Sequence, residues 1–239
     1  MMDLDFGSRR APAGCFVAGT LIHTDHGLVP IEKIRVGDMV LSQPETKGEM
    51  SHRKVLETFA HEDREIYLVD YCITNTPFNS RDEFDYETFW DEQENLPEHH
   101  LVVTGNHPFW VQGVGWTSAE LLPDHIDGIN VLETKDGLSA VVVSVRKICV
   151  TEVDGVGWPY ERNADTAPTI DLRNDLVVVG TESVPNDFIL SSSDRWNNHR
   201  FIRRRVYNFL VEGFHTYYVG DLGVWVHNKS NQTAGATSD

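Results

Sequence analysis

The sequence predicts an all-β domain built from short antiparallel strands. Helical periodicity is weak throughout the 239 residues, short β-prone runs recur, and turn signals separate these runs about every ten residues. An apolar fraction of 40% is adequate for a hydrophobic core, and an aromatic fraction of 10% argues against global disorder. We therefore expect one folded all-β domain.

The predicted elements follow one another from Cys15. Turn signals lie at residues 25–27 and 35–38, and residues 28–34 are expected to form a short connector. A short helix is expected at residues 117–122, capped by Thr117 or Ser118 and ended by Pro123. The β-prone runs are residues 15–24, 39–42, 54–59, 65–71, 101–104, 105–111, 130–132, 140–148 and 206–209.

Two insertions interrupt this pattern, at about residues 74–100 and 154–204. The first holds eight acidic residues against one base, Arg81, with aromatic residues between them. We interpret it as a solvated acidic excursion with about one helical turn within residues 82–94, the alternative being a segment that binds a partner. The second is irregular and rich in Asp, Asn, Ser and Pro, with one apolar run at residues 176–179.

A β-hairpin closes the predicted domain. Apolar residues alternate at strand period up to Val219, residues 220–223 form a turn signal, and residues 224–226 form a second short strand. The strand ends on His227-Asn228, and the polar residues 229–239 predict a flexible flank. The bond between Asn228 and Lys229, at the boundary between the domain and this flank, is therefore a candidate site of chemistry.

The composition excludes several classes of function. A formal net charge of −17 disfavours a nucleic-acid-binding surface, which needs clustered Lys and Arg. No apolar run approaches the roughly 20 residues of a membrane span, and the acidic N-terminus does not resemble a Sec signal peptide. The three cysteines, in no CxxC spacing, indicate neither a disulfide framework nor a zinc site, so no metal or cofactor is expected.

One group of residues near the start and the middle of the chain can carry out an acyl shift. The Cys15 thiol can attack the Gly14 carbonyl and replace the amide by a thioester. That step is uphill in a relaxed peptide, so it needs a strained bond and an acid that protonates the departing nitrogen. His107 has a suitable near-neutral pKa, and Thr104 is placed to hydrogen-bond to the scissile segment.

The end of the predicted domain offers a second self-cleavage reaction. The side-chain amide of Asn228 can attack its own carbonyl, closing a succinimide ring and breaking the bond to Lys229. Because an amide nitrogen is a poor nucleophile, this reaction needs a general base and a polarised carbonyl. His227 and His215 are the candidates. Each such residue alone is more often structural than catalytic, so the specificity lies in the combination.

The combination resembles the Hint superfamily of intein and Hedgehog autoprocessing domains. Residues 15–22 and 31–38 resemble its opening, residues 105–111 and 115–116 its middle, and residues 206–228 its end. The chain resembles most the bacterial intein-like Hint domains that precede toxin modules in polymorphic toxins. The resemblance implies a horseshoe-like Hint fold over residues 15–228, with flanks at residues 1–14 and 229–239.

The resemblance also implies roles for single residues. Cys15 corresponds to the N-terminal nucleophile, with the scissile bond at Gly14, and Thr104 and His107 correspond to the TxxH pair. His215 resembles the histidine of the penultimate block. His227 and Asn228 resemble the terminal His-Asn pair, with Lys229 after the second scissile bond.

The chain departs from the intein pattern at two positions. Inteins that splice carry Cys, Ser or Thr after the terminal Asn, whereas this chain has Lys229, so we expect cleavage rather than splicing. Many inteins also have an acid where Asn208 stands, which removes a carboxylate from that position. The insertions contain no endonuclease-like motif, and DNA cutting is not expected.

We therefore expect a domain that cuts its own chain in cis, in the context of an exported bacterial toxin. The delivery and toxin modules that the resemblance implies are not recognised within the 239 residues. Two alternatives remain open. One is a Hedgehog-like transfer of the Gly14 acyl group to an external nucleophile, and the other is a degenerate Hint module that serves as a scaffold or binding domain.

Overall fold

The computed structural model describes residues 14–74, 78–80, 83–122, 129–159, 166–185 and 201–228, without the side chains of residues 166–167 and 181–185. Within these ranges the chain forms seventeen β-strands, one α-helix and two 3-10 turns. In chain order the elements are β1 (Phe16–Val17), β2 (Leu21–Thr24), β3 (Gly27–Pro30), a 3-10 turn (Ile31–Lys33), β4 (Met39–Ser42), β5 (Ser51–Glu65), β6 (Tyr67–Thr74), α1 (Tyr86–Gln93), β7 (Glu98–Val103), β8 (Pro108–Val111), β9 (Gly115–Ser118), a second 3-10 turn (Ala119–Leu121), β10 (Val131–Glu133), β11 (Ser139–Val150), β12 (Val156–Pro159), β13 (Thr166–Asp171), β14 (Val178–Pro185), β15 (Arg203–Val211), β16 (Thr216–Val219) and β17 (Val224–His227).

The all-β prediction is confirmed, and every strand pair is antiparallel within the described ranges. The long strand β5 pairs with β4 at its start and with β15 along the rest of its length. The sequence predicted a strand only at residues 54–59. Pairing with these two strands in succession extends β5, although its exposed polar residues weaken the local apolar pattern.

The short strand β1 lies between two other strands. Phe16 is opposite Tyr207 of β15 and also opposite Val103 of β7. The strand is therefore held on both sides immediately after Cys15. This register places the Gly14–Cys15 bond between the end of β7 and the middle of β15.

The main hydrophobic core lies behind this position. Phe16, Phe109, Phe209 and Tyr217 are buried in it, together with apolar residues from most of the other strands. Cys15 belongs to a second cluster with Ile148, Ile170, Val206 and neighbouring residues. The second insertion thus contributes an apolar side chain, Ile170, to the surroundings of the predicted nucleophile.

The predicted closing hairpin is present in the structure. Thr216 is opposite His227 and Val219 is opposite Val224. Gly220 and Gly223 in the turn have φ angles of 75° and 70°, a region that favours glycine. The hairpin leaves Asn228 directly after a buried strand.

Regular structure extends further into the insertions than the sequence predicts. In the first, α1 is a two-turn helix capped by Asp85, whose Oδ1 accepts a hydrogen bond from the Thr88 N–H. Phe84 and Phe89 are buried against β6 and β11, so this aromatic group stabilises the fold instead of lying in solvent. In the second, β12, β13 and β14 form an antiparallel sheet.

Two smaller predictions are wrong. The helix expected at residues 117–122 is only the 3-10 turn Ala119–Leu121, because Thr117 and Ser118 pair with β8 as part of β9. The connector expected at residues 28–34 contains most of strand β3 and the first 3-10 turn. No helix in the described ranges is long and apolar enough to span a membrane.

Candidate functional site

The Gly14–Cys15 bond is buried, and its N–H is held by Thr104. The Cys15 N–H donates to Thr104 Oγ1 over 2.9 Å, and the Cys15 carbonyl accepts the Thr104 N–H, also over 2.9 Å. The Thr104 hydroxyl donates its own hydrogen to Asn106 Oδ1 at 2.9 Å. Because that hydrogen is used on Asn106, a lone pair of the Thr104 oxygen faces the Cys15 N–H.

The carbonyl of the same bond is held from the opposite side. Asn208 donates a hydrogen bond from Nδ2 to the Gly14 oxygen over 2.6 Å, and Asn208 is only 3% exposed. The Oδ1 atom of Asn208 accepts the Phe209 N–H at 2.8 Å and the Tyr217 hydroxyl at 3.0 Å. Since a backbone N–H can only donate, these contacts fix which side of the Asn208 amide faces Gly14.

His107 packs directly against Gly14. A β-carbon built on Gly14 would lie 2.3 Å from His107 Cα and 2.8 Å from His107 Nδ1, so only glycine fits there. The imidazole ring also lies 4.3 Å from the Phe16 ring, between centroids. The turn that carries His107 is closed by its N–H, which donates to the Thr104 carbonyl at 3.1 Å.

Burial sets the protonation states of the two predicted reacting groups. It lowers the pKa of His107 from 6.5 to about 3, and an interaction with the Gly14 backbone offsets this only in part. Burial also raises the pKa of the Cys15 thiol from 9.0 to about 12, with a small opposing effect of the Arg64 charge. Imidazole and thiol are therefore both neutral near pH 7.

Asn228 is held by backbone groups on two sides. Its N–H donates to the His215 carbonyl at 2.8 Å, and its Nδ2 donates to the Phe209 carbonyl at 2.9 Å. The residue is 2% exposed although it lies at the end of the hairpin. The nitrogen that would attack in a cyclisation is thus oriented by β15.

The two predicted histidines of this end have different surroundings. His227 Nε2 lies 2.9 Å from Glu45 Oε1, and the His227 ring packs edge-on against Trp116 with 5.0 Å between centroids. His215 is exposed, with a φ of 57° that lets its carbonyl turn towards Asn228. A protonated His227 would also lower the pKa of His107, an electrostatic link between the two ends of the site.

Consecutive residues of β15 hold both ends. Asn208 donates its side-chain N–H to the Gly14 carbonyl, and Phe209 accepts the side-chain N–H of Asn228. The register of β1 with β15 brings the first end there, and the closing hairpin brings the second. The structure thus brings Gly14, Cys15, Thr104 and His107 together. Asn228 lies close to this group, because it is hydrogen-bonded to Phe209, the residue that follows Asn208 in β15.

Sequence reasoning did not assign four of these residues to the site, namely Asn106, Asn208, Tyr217 and Glu45. Asn208 was singled out only as a departure from the intein pattern, although a polar residue in an apolar strand was a usable signal. Tyr217 fits the apolar alternation of its strand, so no local signal marks it. Lys229 lies outside the described residues.

An open cavity of about 410 Å³ reaches the first end of the site. Its lining includes Arg64, Tyr67, Thr104, Gly105, Asn106 and Glu120. A small molecule in this cavity would contact the residue that accepts the Cys15 N–H. No group of three or more His, Cys, Asp or Glu side chains suited to a metal ion occurs in the described ranges.

The antiparallel β fold holds a Gly-Cys amide in a buried site, and an Asn follows strand β17. This arrangement is typical of an autoprocessing-type domain. The comparisons agree with this class. Residues 14–63 match the family model described as Hint domain. The solved structures with similar folds include inteins and intein-like domains, so the predicted resemblance to the Hint superfamily and the predicted Hint fold are confirmed.

Two solved structures illustrate the likeness. The bacterial intein-like domain from Clostridium thermocellum is 25% identical, with a TM-score of 0.51 over 90% of this chain and 98% of that chain. The Ssp DnaB mini-intein variant M86 is 13% identical, with a TM-score of 0.50 over 93% of this chain and 99% of that one, a likeness of fold alone. A search among curated proteins found no significant match.

Proposed function

We propose that this chain is a self-cleaving, intein-like Hint domain that acts in cis on its own flanks. The processing unit runs over residues 15–228, between the flanks 1–14 and 229–239. One observation carries the proposal. The Gly14–Cys15 amide is buried against His107 while its N–H is hydrogen-bonded to Thr104, in a fold similar to that of inteins.

The first reaction is an N–S acyl shift. The Cys15 sulfur bonds to the Gly14 carbonyl carbon, the bond between that carbon and the Cys15 nitrogen breaks, and the thiol proton ends on the released amine. The product is a thioester of Gly14, which water or an added thiol then cleaves. The transfer conserves atoms and needs no cofactor.

His107 and Thr104 move and guide the proton in this step. As the sulfur bonds to the carbonyl carbon, the S–H becomes strongly acidic, so even a weakly basic imidazole can accept its proton. The resulting imidazolium, whose pKa is about 3, is a strong acid that gives the proton to the departing nitrogen. Thr104 holds the Cys15 N–H, so the nitrogen is oriented before it leaves. Such pre-orientation lowers the entropic part of the barrier.

The second reaction is cyclisation of Asn228. Its Nδ2 loses a proton and bonds to the Asn228 carbonyl carbon, the bond to Lys229 breaks, and the Lys229 nitrogen takes up a proton. The hydrogen bond from Nδ2 to the Phe209 carbonyl orients the nucleophile, and His227 and His215 are the candidate proton carriers. Holding Asn228 in a buried site supports this reaction over the slow reaction of a free chain.

The expected outcome is cleavage rather than splicing. Lys229 offers no hydroxyl or thiol that could take over the acyl group from Cys15. By resemblance to pretoxin Hint domains of polymorphic toxins, cleavage after Asn228 would release a C-terminal toxin or effector from an exported bacterial protein. The delivery and toxin modules on either side of the domain are part of what we propose.

Intact-mass measurement tests the two cleavages separately. The purified chain is incubated with and without an added thiol, beside the variants Cys15→Ala and Asn228→Ala. We expect loss of residues 229–239 in every sample except Asn228→Ala. We expect thiol-induced loss of residues 1–14 in every sample except Cys15→Ala.

The same experiment separates the two alternative functions. A chain that keeps its full mass under all conditions would contradict self-cleavage and favour the degenerate scaffold. Loss of residues 1–14 to an external nucleophile, with residues 229–239 retained, would favour a Hedgehog-like acyl transfer. The cavity lined by Thr104 and Asn106 is the expected approach for such a nucleophile.

A further inference from the structure

Asn208 faces the reacting carbonyl, and neither the motifs nor the resemblance gives it a role. We propose that Asn208 polarises the Gly14 carbonyl for the acyl shift, and that Tyr217 positions Asn208. The proposal rests on the proposed N-terminal reaction and adds an electrostatic component to it. Its basis is the buried hydrogen bond of 2.6 Å from Asn208 Nδ2 to the Gly14 oxygen.

The position of Asn208 is set by its other hydrogen bonds. Oδ1 accepts from the Phe209 N–H and from the Tyr217 hydroxyl, so rotation of the amide would break both contacts. Tyr217 is fully buried, and its ring lies 4.4 Å from the Phe209 ring, between centroids. The donor therefore points at the Gly14 oxygen before the reaction begins.

The chemistry explains why such a donor accelerates the step. When the Cys15 sulfur adds to the carbonyl carbon, the π electrons of the C=O bond move onto the Gly14 oxygen, which becomes an oxyanion. They return when the bond to the Cys15 nitrogen breaks. A fixed N–H donor in a buried site stabilises the oxyanion with little reorganisation.

A neutral amide also fits this place better than a carboxylate. An ionised acid at position 208 could still accept the Phe209 N–H and the Tyr217 hydroxyl, but its second oxygen would face the Gly14 oxygen. That contact would repel the developing negative charge. Many inteins have an acid at the position of Asn208. The asparagine here therefore offers the Gly14 oxygen a hydrogen-bond donor, where an ionised acid would offer only an acceptor.

Rates of thiol-induced release of residues 1–14 test the proposal. We expect Asn208→Ala to slow release on the order of 10²–10³-fold, the usual effect of losing one oxyanion donor. Tyr217→Phe keeps Asn208 and should slow release less, by about tenfold or under. Tyr207→Phe on the same strand is the matched control, and it should leave the rate unchanged.

Cleavage at Asn228 is the internal control for folding. The Phe209 carbonyl that holds Asn228 is a backbone group, so Asn208→Ala should change the Asn228 reaction only a few-fold. Equal slowing of both cleavages would assign Asn208 a structural role and overturn the proposal. Wild-type chain that releases no residues 1–14 at all would instead overturn the proposed N-terminal reaction.

Asn208→Asp supplies a readout that a structural role would not move. It preserves shape and both contacts of Oδ1. Relative to wild type at the same pH, we expect slow release near pH 8, with the ratio recovering towards about pH 5 as the buried carboxyl gains a proton and can donate again. Cys15, His107 and Tyr217 face this position, and none changes charge in that window because their pKa values lie far outside it. Wild-type rates across the whole range would contradict the proposal.

Activity-independent evidence comes from the double variant Cys15→Ala/Asn228→Ala. With ¹³C in the Gly14 carbonyl, its NMR resonance reports the hydrogen bond directly. Removing Asn208 should shift this resonance upfield, while Tyr207→Phe should not. An unshifted resonance would show that Asn208 does not polarise the carbonyl.

Discussion

Gly14 lies directly against His107, with space for a hydrogen but not for a methyl group. A β-carbon on Gly14 would lie 2.3 Å from His107 Cα, closer than such atoms ever approach. The residue before the nucleophile is therefore restricted by packing. This contact places the imidazole beside the scissile amide.

Gly14→Ala should impair the N-terminal reaction far more than the fold. The added methyl group displaces the scissile amide from His107, and a shift of about 1 Å at a reacting centre can cost on the order of 10²-fold in rate. Release of residues 1–14 by thiol, followed by intact mass, measures the effect. Cleavage after Asn228 at the wild-type rate in the same sample would show that the fold is intact, whereas unchanged release would contradict the contact.

Thr104→Val should slow the same reaction while Thr104→Ser preserves it. Valine has nearly the same shape but cannot accept the Cys15 N–H or donate to Asn106. The buried N–H is then unpaired, at a cost of about 1–3 kcal/mol in stability. Urea unfolding measures the stability, and thiol-induced release measures the rate. Equal behaviour of the two variants would exclude a role for the hydroxyl.

Stability should fall on mild acidification because His107 is buried in its neutral form. Its folded-state pKa of about 3 lies below the unfolded value of 6.5, so the unfolded chain binds a proton first as the pH falls. The stabilisation is fully present above about pH 6.5 and is lost towards about pH 3. Between pH 7 and pH 5 the loss should approach about 2 kcal/mol.

Urea unfolding of the double variant Cys15→Ala/Asn228→Ala at these two pH values measures this loss without self-cleavage. Adding His107→Phe should remove most of the difference between the two pH values. Asp70, whose pKa is also lowered through its contacts with His100, Arg146 and Ser144, titrates below this window. If the free energy of unfolding falls equally with and without His107, the acid sensitivity comes from other groups.

Glu45→Gln should slow cleavage after Asn228 by about tenfold. Glu45 Oε1 lies 2.9 Å from His227 Nε2, and this contact orients the ring. A partly exposed charged hydrogen bond has about this effect. Glu49→Gln, an exposed acid of the same loop, is the matched control. Mass spectrometry over time gives both rates, and identical rates would exclude Glu45 from the reaction.

Local patterns were sufficient for much of the fold. The closing hairpin, its glycine turn and most of the strands follow from alternation and turn residues, which act between near neighbours. Among the misassigned elements, β3 and β9 form tight hairpins with β2 and β8, and their sequences lack the clear apolar alternation that marks a strand. The far end of β5 was missed because it pairs with β15, which is distant in sequence. The aromatic residues of the first insertion likewise pack against strands that no local signal connects to them.

The sequence by itself determined the chemical groups: a thiol after a glycine, a Thr-x-x-His run and a terminal His-Asn pair. Only the tertiary structure decided what surrounds them. It places Asn208 on a carbonyl 194 positions away in the chain and Glu45 on a histidine 182 positions away. It also buries His107 so that its ring stays neutral. The physical reason is that these effects depend on strand register and on exclusion of water, which arise only when distant segments pack together.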